Sequence, residues 1–530
     1  MIPVNRSERP SSRVRLWLRW SLPAVGVALF LLPLVSSSIV YPKWDEFIVS
    51  FDAQRILNGQ IPYRDFFNFI PPGIFYFLAG AGWIFGRVTL TVSRFAALLV
   101  ILTNWLLLRT ALEKAGWRWW HALALSLVYP VCLYPFWPVA SHHWLVHLTC
   151  MAFLLVVAKT DASDMKSAAF MGLCAGTAAV ILQTDGLYLG VAGLALILLT
   201  SSEKKVFKNL TMWGGGLVLP LILGFVPLLL MGAGPSMVRD ILLWPAHNYS
   251  RTGNDNARGV LADLPIRLDA IWSGVHTTGD MWRTLPLAIA GTVLYALLLA
   301  STLGLFVAAI WVLLRALRRR TLDYPVTAVA SLVTVLAIGM FFRGRPGWLW
   351  LIYLFAFLMA FWLVAAAKTH LSEVARRRIV ILALILLAAG GIYQSRWIWY
   401  HWPNAQELTD VDRPIRDSAV NRWLRTPGVL RKGDTVAAFP EGGEVYLYGA
   451  PPAVGYTFFM PLSERYNSLR DHEIVANQLV RNKPRWVLVT PGMEKAFLDP
   501  ASPVGRLLRK DYRRLGQVGD AVVYKRTAGP

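Results

Sequence analysis

Apolar runs of roughly 18 residues or more recur along the chain, with short polar stretches between them. That is the length a helix needs to cross the apolar core of a bilayer. The first run, Leu22 to about Val40, follows Arg6, Arg9, Arg13, Arg15 and Arg19. No clear A-x-A site follows it, so the pattern predicts an uncleaved first helix with the amino end inside. Pro72 to about Gly86 is apolar and aromatic but short, and reads as a helix lying at the interface. Further spans are expected at Arg94 to Leu108, Trp119 to Val139, from Ser141 back to Lys159, and as two shorter helices flanking Gln183-Thr184-Asp185-Gly186. Others run from Leu210 to Met231, then to Arg315, from Val326 to Phe342, to Lys368, and finally to Tyr393. The expectation is about eleven spans, with a long outer loop over roughly Gly232 to Arg283.

Past Tyr393 the pattern changes to a helix near Asp417–Arg422 and short strand-like runs at 435–439, 445–448, 485–489 and 521–524. Turn signals such as Pro440-Glu441-Gly442-Gly443 and Pro451-Pro452 separate them. The expected fold is mainly α: a polytopic transmembrane helix bundle over residues 1–393, with a first outer loop at 41–93. A small α/β extracytoplasmic domain over 394–530 completes it.

Composition agrees: 16% of residues are charged and 55% hydrophobic. A formal net charge of +22 could suggest nucleic acid. The basic residues instead sit in short clusters between apolar runs, as in cytoplasmic loops facing anionic headgroups, so nucleic acid is excluded as a partner and the bilayer is expected. Each expected inner loop carries at least two Lys or Arg, and only the outer turn with Arg343 and Arg345 breaks the rule. That exception points to a local task. Cys132, Cys150 and Cys174 lie in apolar stretches without CxxC spacing, which argues against a disulfide framework or thiolate zinc site.

Chemistry-bearing residues concentrate in the first outer loop: Lys43, Asp45, Glu46, Asp52, Arg55, Tyr63, Arg64 and Asp65, before Pro71-Pro72-Gly73. A solvated loop with Asp45 and Glu46 in a favourable first helical turn is the plain alternative. His142 and His143 lie where a span surfaces, and could line a site or simply cap a helix beside Trp144. With His147 they have a spacing that could hold zinc, yet no carboxylate nearby completes a set, so no metal site is assigned. Asp185 is costly against lipid and is expected to face an aqueous cavity with Gln183, or to cap its helix. Gly214-Gly215-Gly216 falls inside a span and reads as close helix packing.

An Asp-Glu pair directly after the first span, Gly59, Tyr63-Arg64-Asp65-Phe66, and Pro71-Pro72-Gly73 with Tyr76 together resemble the GT-C superfamily of membrane glycosyltransferases. The similarity is to the group of protein O-mannosyltransferases and the lipid A aminoarabinose transferase. The resemblance covers about fifty residues in detail and the span pattern more loosely. The residue after the proline pair is glycine, and no Asp-x-Asp follows in the second outer loop. The resemblance implies transfer of a sugar from a polyprenyl-phosphate donor to an extracytoplasmic lipid, glycan or protein, at a bacterial inner membrane. Asp45 would be the general base, with Glu46 and Asp65 as further acidic candidates. Arg343 and Arg345, then Lys43 and Arg64, would hold the donor phosphate. A divalent metal is not indicated. A polymerase or ligase of lipid-linked glycans, with its key residues in the 232–283 loop, remains an alternative, as does a non-enzymatic transporter or scaffold. A transporter should show internal symmetry and ionisable residues at mid-membrane depth, whereas these acids sit at span edges.

Overall fold

The computed structural model describes residues 44–159, 164–251, 269, 272, 281–319, 324–343, 348–369, 371–401, 410–439, 442–456, 469–490 and 497–527. The first expected span, Leu22 to Val40, lies outside them. Trp44–Leu57 (α1) and Gly73–Phe85 (α2) bracket the first loop. The apolar body follows as Leu90–Ala115 (α3), Trp119–Val128 (α4), His142–Lys159 (α5), Met165–Ile181 (α6), Gln183–Thr200 (α7) and Glu203–Leu230 (α8). Gly234–Val238 (α9), a π-turn at Arg239–Leu243 and Trp244–Arg251 (α10) come next. Met281–Arg319 (α11), Pro325–Arg343 (α12), Trp348–Lys368 (α13) and Glu373–His401 (α14) complete the body.

Six described helices, belonging to α3, α5, α7, α8, α11 and α14, are long and apolar enough to cross a bilayer. Shorter apolar helices are α2, α6 and parts of α12 and α13. The outward faces are apolar too: Phe207 is 79% exposed and Leu230 83%, both on α8. Rows of such side chains belong against acyl chains rather than water. The expected span from Trp119 to Val139 is not one helix. It widens into a π-turn at Tyr129–Leu133 and tightens to a 3-10 turn at Tyr134–Phe136. Pro130 and Pro135 account for the break, since each lacks an N–H and its ring crowds the preceding turn.

Small residues set the closest helix contacts. A Cβ on Gly172 or Gly176 of α6 would sit 2.0 and 2.2 Å from the backbone oxygens of Trp213 and Leu217 on α8. Of the Gly214–Gly216 run, only Gly216 packs this way: a Cβ there would lie 2.1 Å from the Ala169 oxygen. The other two face open space. A Cβ on Gly73, the residue after the proline pair, would lie 2.8 Å from both Val180 O and Ile181 Cγ1. Any larger residue there would push α2 off the end of α6.

The carboxy-terminal unit holds Arg413–Arg416 (α15), Ala419–Leu424 (α16), Val436–Phe439 (β1), Gly443–Tyr448 (α17), Leu469–Asn482 (α18), Trp486–Val489 (β2), Pro503–Asp511 (α19), Tyr512–Val518 (β3) and Ala521–Arg526 (β4). Its sheet runs β1-β2-β4-β3, with β1 and β2 parallel and the other pairs antiparallel. Two expectations need correction. Residues 445–448 form α17 rather than a strand: Gly443 packs against Phe47 of α1, and the Tyr446 ring lies 5.3 Å from Phe51. Short apolar runs do not distinguish buried helix from strand, and tertiary contacts decide. The missed strand is β3, whose Arg513, Arg514 and Gln517 make it a polar sheet edge.

This unit is bolted to the start of α3. Asp412 accepts from the Leu90 N–H at 2.9 Å and the Thr91 hydroxyl at 2.7 Å, and also from the Tyr448 hydroxyl. Two N–H groups that α3 leaves unmatched at its first turn are thereby satisfied from the other unit. If the basic-loop pattern sets orientation, reporter fusions after residues 120, 205 and 375 will read cytoplasmic, and a fusion after 450 external. An internal reading at 450 would reverse the assignment.

Candidate active site

α1 begins at Trp44, so Asp45 and Glu46 occupy its first turn. Lys43 and Arg345 fall outside the described residues, as do the side chains of Asp45 and Arg343, although both residues are helical. Glu46 is fully buried and meets Arg94 of α3 in a fork: Nε to Oε1 at 2.8 Å and Nη2 to Oε2 at 2.7 Å. Both partners are 3% exposed or less. A charge-assisted pair of this geometry fixes the rotation of α1 against α3, and with it the turn that carries Asp45. Ser50 on α1 reinforces the contact, donating to the Ser93 hydroxyl at 2.8 Å.

The loop between α1 and α2 is held by its own polar groups. Asn68 donates to Asp52 at 2.7 Å and accepts from the Ile70 N–H at 2.9 Å. Arg55 lies 4.4 Å over the Phe66 ring and donates to Gln60 and to the backbone oxygens of Asp65 and Gly455. Gly455 belongs to the carboxy-terminal unit, and its oxygen also accepts from the Phe67 N–H. Tyr63 sits at φ 67°, a left-handed conformation that costs a bulky residue about 1–3 kcal/mol. Its hydroxyl donates to Ile70 O at 2.7 Å, which helps hold it there.

Asp65 accepts from Arg64 through both oxygens, at 2.8 and 3.0 Å, and from the Ile61 N–H at 2.7 Å. The Arg64 guanidinium, with the Ile61 N–H, holds its carboxyl below the usual range. Arg64 also donates to Met231 O at 3.2 Å. These two residues therefore pair with each other and dock the loop on the end of α8.

The other sequence candidates divide into two groups. Gln183 donates to Ile241 O at 3.2 Å, tying α7 to the π-turn, while Ile241 and Met237 pack in one cluster with Tyr63. The first-loop motif and the Gln183–Asp185 helix start thus meet on the same segment, 231–244. Asp185 is half-buried and accepts from its neighbour Thr184. His142 and His143 belong to a different set: their rings lie 4.1 Å apart, and His143 stacks at 4.1 Å on Tyr353 of α13. His147 Nδ1 is 3.0 Å from the Tyr129 hydroxyl. Beside them a small apolar depression, with a cavity volume of about 10 Å³, lies between α2, α3 and α5, lined by Ile74, Phe77, Leu78, Val100, Ser141 and Trp144 among others. Among the described residues no group of three His, Cys, Asp or Glu could hold a metal ion.

Two residues escaped sequence reasoning. Arg94 passed as the start of a span, although a charge inside an apolar helix is itself a signal for a buried partner. Asp240 lies in what reads as a plain outer loop. It is fully buried, with Oδ1 2.5 Å from Arg239 Nε. Burial pushes its carboxyl up to about 6 despite the pull of Arg239. A raised acid binds its proton more tightly folded than unfolded, so its contribution to stability is present at low pH and lost as pH rises through about 6. The Asp240→Asn variant does not titrate. Its melting temperature relative to wild type is expected to climb from about pH 4 to pH 7, and a flat difference across that range would contradict the burial account.

No protein-family model matches the sequence, and no curated protein matches it. Among solved structures, ArnT from Cupriavidus metallidurans bound to undecaprenyl phosphate aligns over 96% of this chain and 99% of that one. The TM-score is 0.54 at 13% identity. The apo form of the same protein aligns at TM-score 0.53 and 14% identity, covering 97% of this chain and 100% of that one. At such identity the likeness is one of fold. The alignment takes in nearly the whole chain, and the chain shares the fold of ArnT, in keeping with the resemblance that its first loop carries.

Proposed function

We propose that the protein is an integral membrane glycosyltransferase that moves a sugar from a polyprenyl-phosphate donor to an extracytoplasmic acceptor, with Asp45 as general base. The observation that carries this reading is the buried Glu46–Arg94 fork. Burying two charges is expensive, and an apolar pair would stabilise the same contact as well or better. Its retention makes sense where the orientation of one helical turn matters, and that turn carries Asp45. The fold shared with a protein solved bound to undecaprenyl phosphate supports a lipid-linked donor.

In this mechanism the Asp45 carboxylate takes the proton from an acceptor hydroxyl as that oxygen attacks the anomeric carbon. The bond from that carbon to the phosphate oxygen breaks, and polyprenyl phosphate departs. Glu46 acts as a positioning residue through Arg94, and Asp65 with Arg64 docks the loop. The departing phosphate needs positive charge in a planar, two-toothed form, which Arg343, the last residue of α12, and Arg345 would supply. Arg343→Lys should then impair turnover more than the retained charge would suggest. Normal donor affinity and rate in a doubly substituted Arg343→Ala, Arg345→Ala variant would remove both from the site.

Mass spectrometry of envelope glycans and lipid-linked sugars, with and without the protein, tests the function in cells. The expected result is loss of one glycan decoration and accumulation of one polyprenyl-phosphate sugar. Unchanged profiles of both would count against it.

A further inference from the structure

The π-turn Arg239–Leu243 carries a carboxylate whose second oxygen is unmatched. Asp240 Oδ1 meets Arg239, while Oδ2, equally buried, has no hydrogen-bond partner among the described residues. A buried acceptor left without a donor costs stability, and native chains keep such groups where a ligand or ordered water completes them. The widened turn points the same way, since π-turns inside helices concentrate at functional sites.

Its surroundings are built to hold it still. Gln183 reaches Ile241 O from the start of α7, and Ile241 packs beside the strained Tyr63. On the other side Trp244 stacks on Phe69 at 5.2 Å and meets Phe67 edge-on at 5.5 Å. Phe67 stacks in turn on Tyr456, whose hydroxyl donates to Asp471 at 2.6 Å. The segment therefore joins the membrane helices, the first loop and the carboxy-terminal unit at one place. Ile48, one turn after Asp45 on the same face of α1, belongs to the apolar cluster that contains Phe67, Trp244 and Tyr456.

The missing partner has a definable chemistry. Arg239 pairs with Asp240 Oδ1, and Arg470 and Asp471 add one nearby charge of each sign, so the cluster is already balanced and Oδ2 calls for a neutral hydrogen-bond donor rather than a further cation. We propose that Asp240 recognises the sugar of the lipid-linked donor, its Oδ2 accepting a hydrogen bond from a sugar hydroxyl. The donor is favoured over the acceptor because the turn is tied to α7 and follows α8, both long and apolar enough to cross a bilayer, and a bilayer lipid would bring its sugar to the ends of such helices. This rests on the glycosyltransferase reading and extends it to a specificity-determining residue that binds but does not react.

The test compares affinities of the purified full-length protein in lipid nanodiscs for two probes. One is undecaprenyl phosphate; the other is a panel of undecaprenyl-phosphate-linked glucose, mannose and arabinose. Wild type should bind at least one sugar-bearing lipid more tightly than the bare lipid. Asp240→Asn keeps its oxygen for Arg239 and replaces the charged acceptor Oδ2 by an uncharged N–H₂, so the charge-assisted bond from the sugar hydroxyl is lost and that sugar-bearing lipid should bind about tenfold or more weakly. Affinity for the bare lipid should be unchanged, and Asp240→Glu should recover part of the loss. Melting curves confirm that the variants are folded. Equal weakening of both lipids would mean a structural role and overturn the proposal, as would no weakening of either or a wild type indifferent to the sugar. A wild type that binds neither lipid would instead defeat the glycosyltransferase reading itself.

Discussion

Asp45→Asn should lower sugar transfer by about 10²–10⁴-fold, or roughly 3–5 kcal/mol at the transition state, while the protein folds normally. Asparagine keeps the size of the side chain and most of its hydrogen bonding. It cannot take the proton of the attacking hydroxyl. Asp45 lies in the first turn of α1, where a negative charge also favours the helix, so the substitution should cost only a few tenths of a kcal/mol in stability. The loss should appear mainly in kcat, since the donor is held by other groups. Asp65→Asn is the control inside the same loop: Asp65 is paired to Arg64 and the Ile61 N–H, so its loss should loosen the loop and weaken binding more than it slows chemistry. Wild-type rates in Asp45→Asn would move the base elsewhere.

The second large effect is expected at the fork beneath it. Glu46→Ala or Arg94→Ala each strands one buried charge, and such losses run to about 3–5 kcal/mol. Replacing both together, Glu46→Leu with Arg94→Met, should restore most of that stability, because an apolar pair of similar volume has no desolvation cost. If the fork exists to orient the Asp45 turn, this double variant will be stable and still slow. Thermal unfolding in detergent measures the first half and a transfer assay the second. A double variant that is both stable and fully active would reduce the fork to a packing contact.

How much of this was legible in the sequence depends on what set each feature. Of the about eleven expected spans, six described helices are long and apolar enough to cross a bilayer, and those were legible because long apolar runs leave the backbone few alternatives in lipid. The breaks were less so: the π-turn at Tyr129–Leu133 needed Pro130 to be read as a distortion inside a span rather than as part of it. In the carboxy-terminal unit, β1, β2 and β4 have buried faces and stood out, while β3 is a polar edge and did not. The Val445–Tyr448 run is helical because Phe47 and Phe51 of a distant segment pack on it, and no local pattern encodes that partner. At the site, the acidic pair and the proline pair were visible in sequence. Their supports were not, since Arg94 lies 48 residues from Glu46, and Asp240 sits in a segment without a periodic signal. The histidines gained a ring layer with Tyr353 rather than a place among the acids of the first loop.

The central claim is that sugar leaves a polyprenyl phosphate at this site, and a single assay reaches it directly. Purified protein is reconstituted in vesicles with undecaprenyl phosphate carrying a radiolabelled sugar, and cell-envelope extract is supplied as acceptor. The account predicts that label moves from the lipid to the acceptor fraction, that unlabelled undecaprenyl phosphate appears in step, and that Asp45→Asn vesicles do neither. Label that stays on the lipid with every donor sugar offered, or moves equally fast in the Asp45→Asn vesicles, would contradict it.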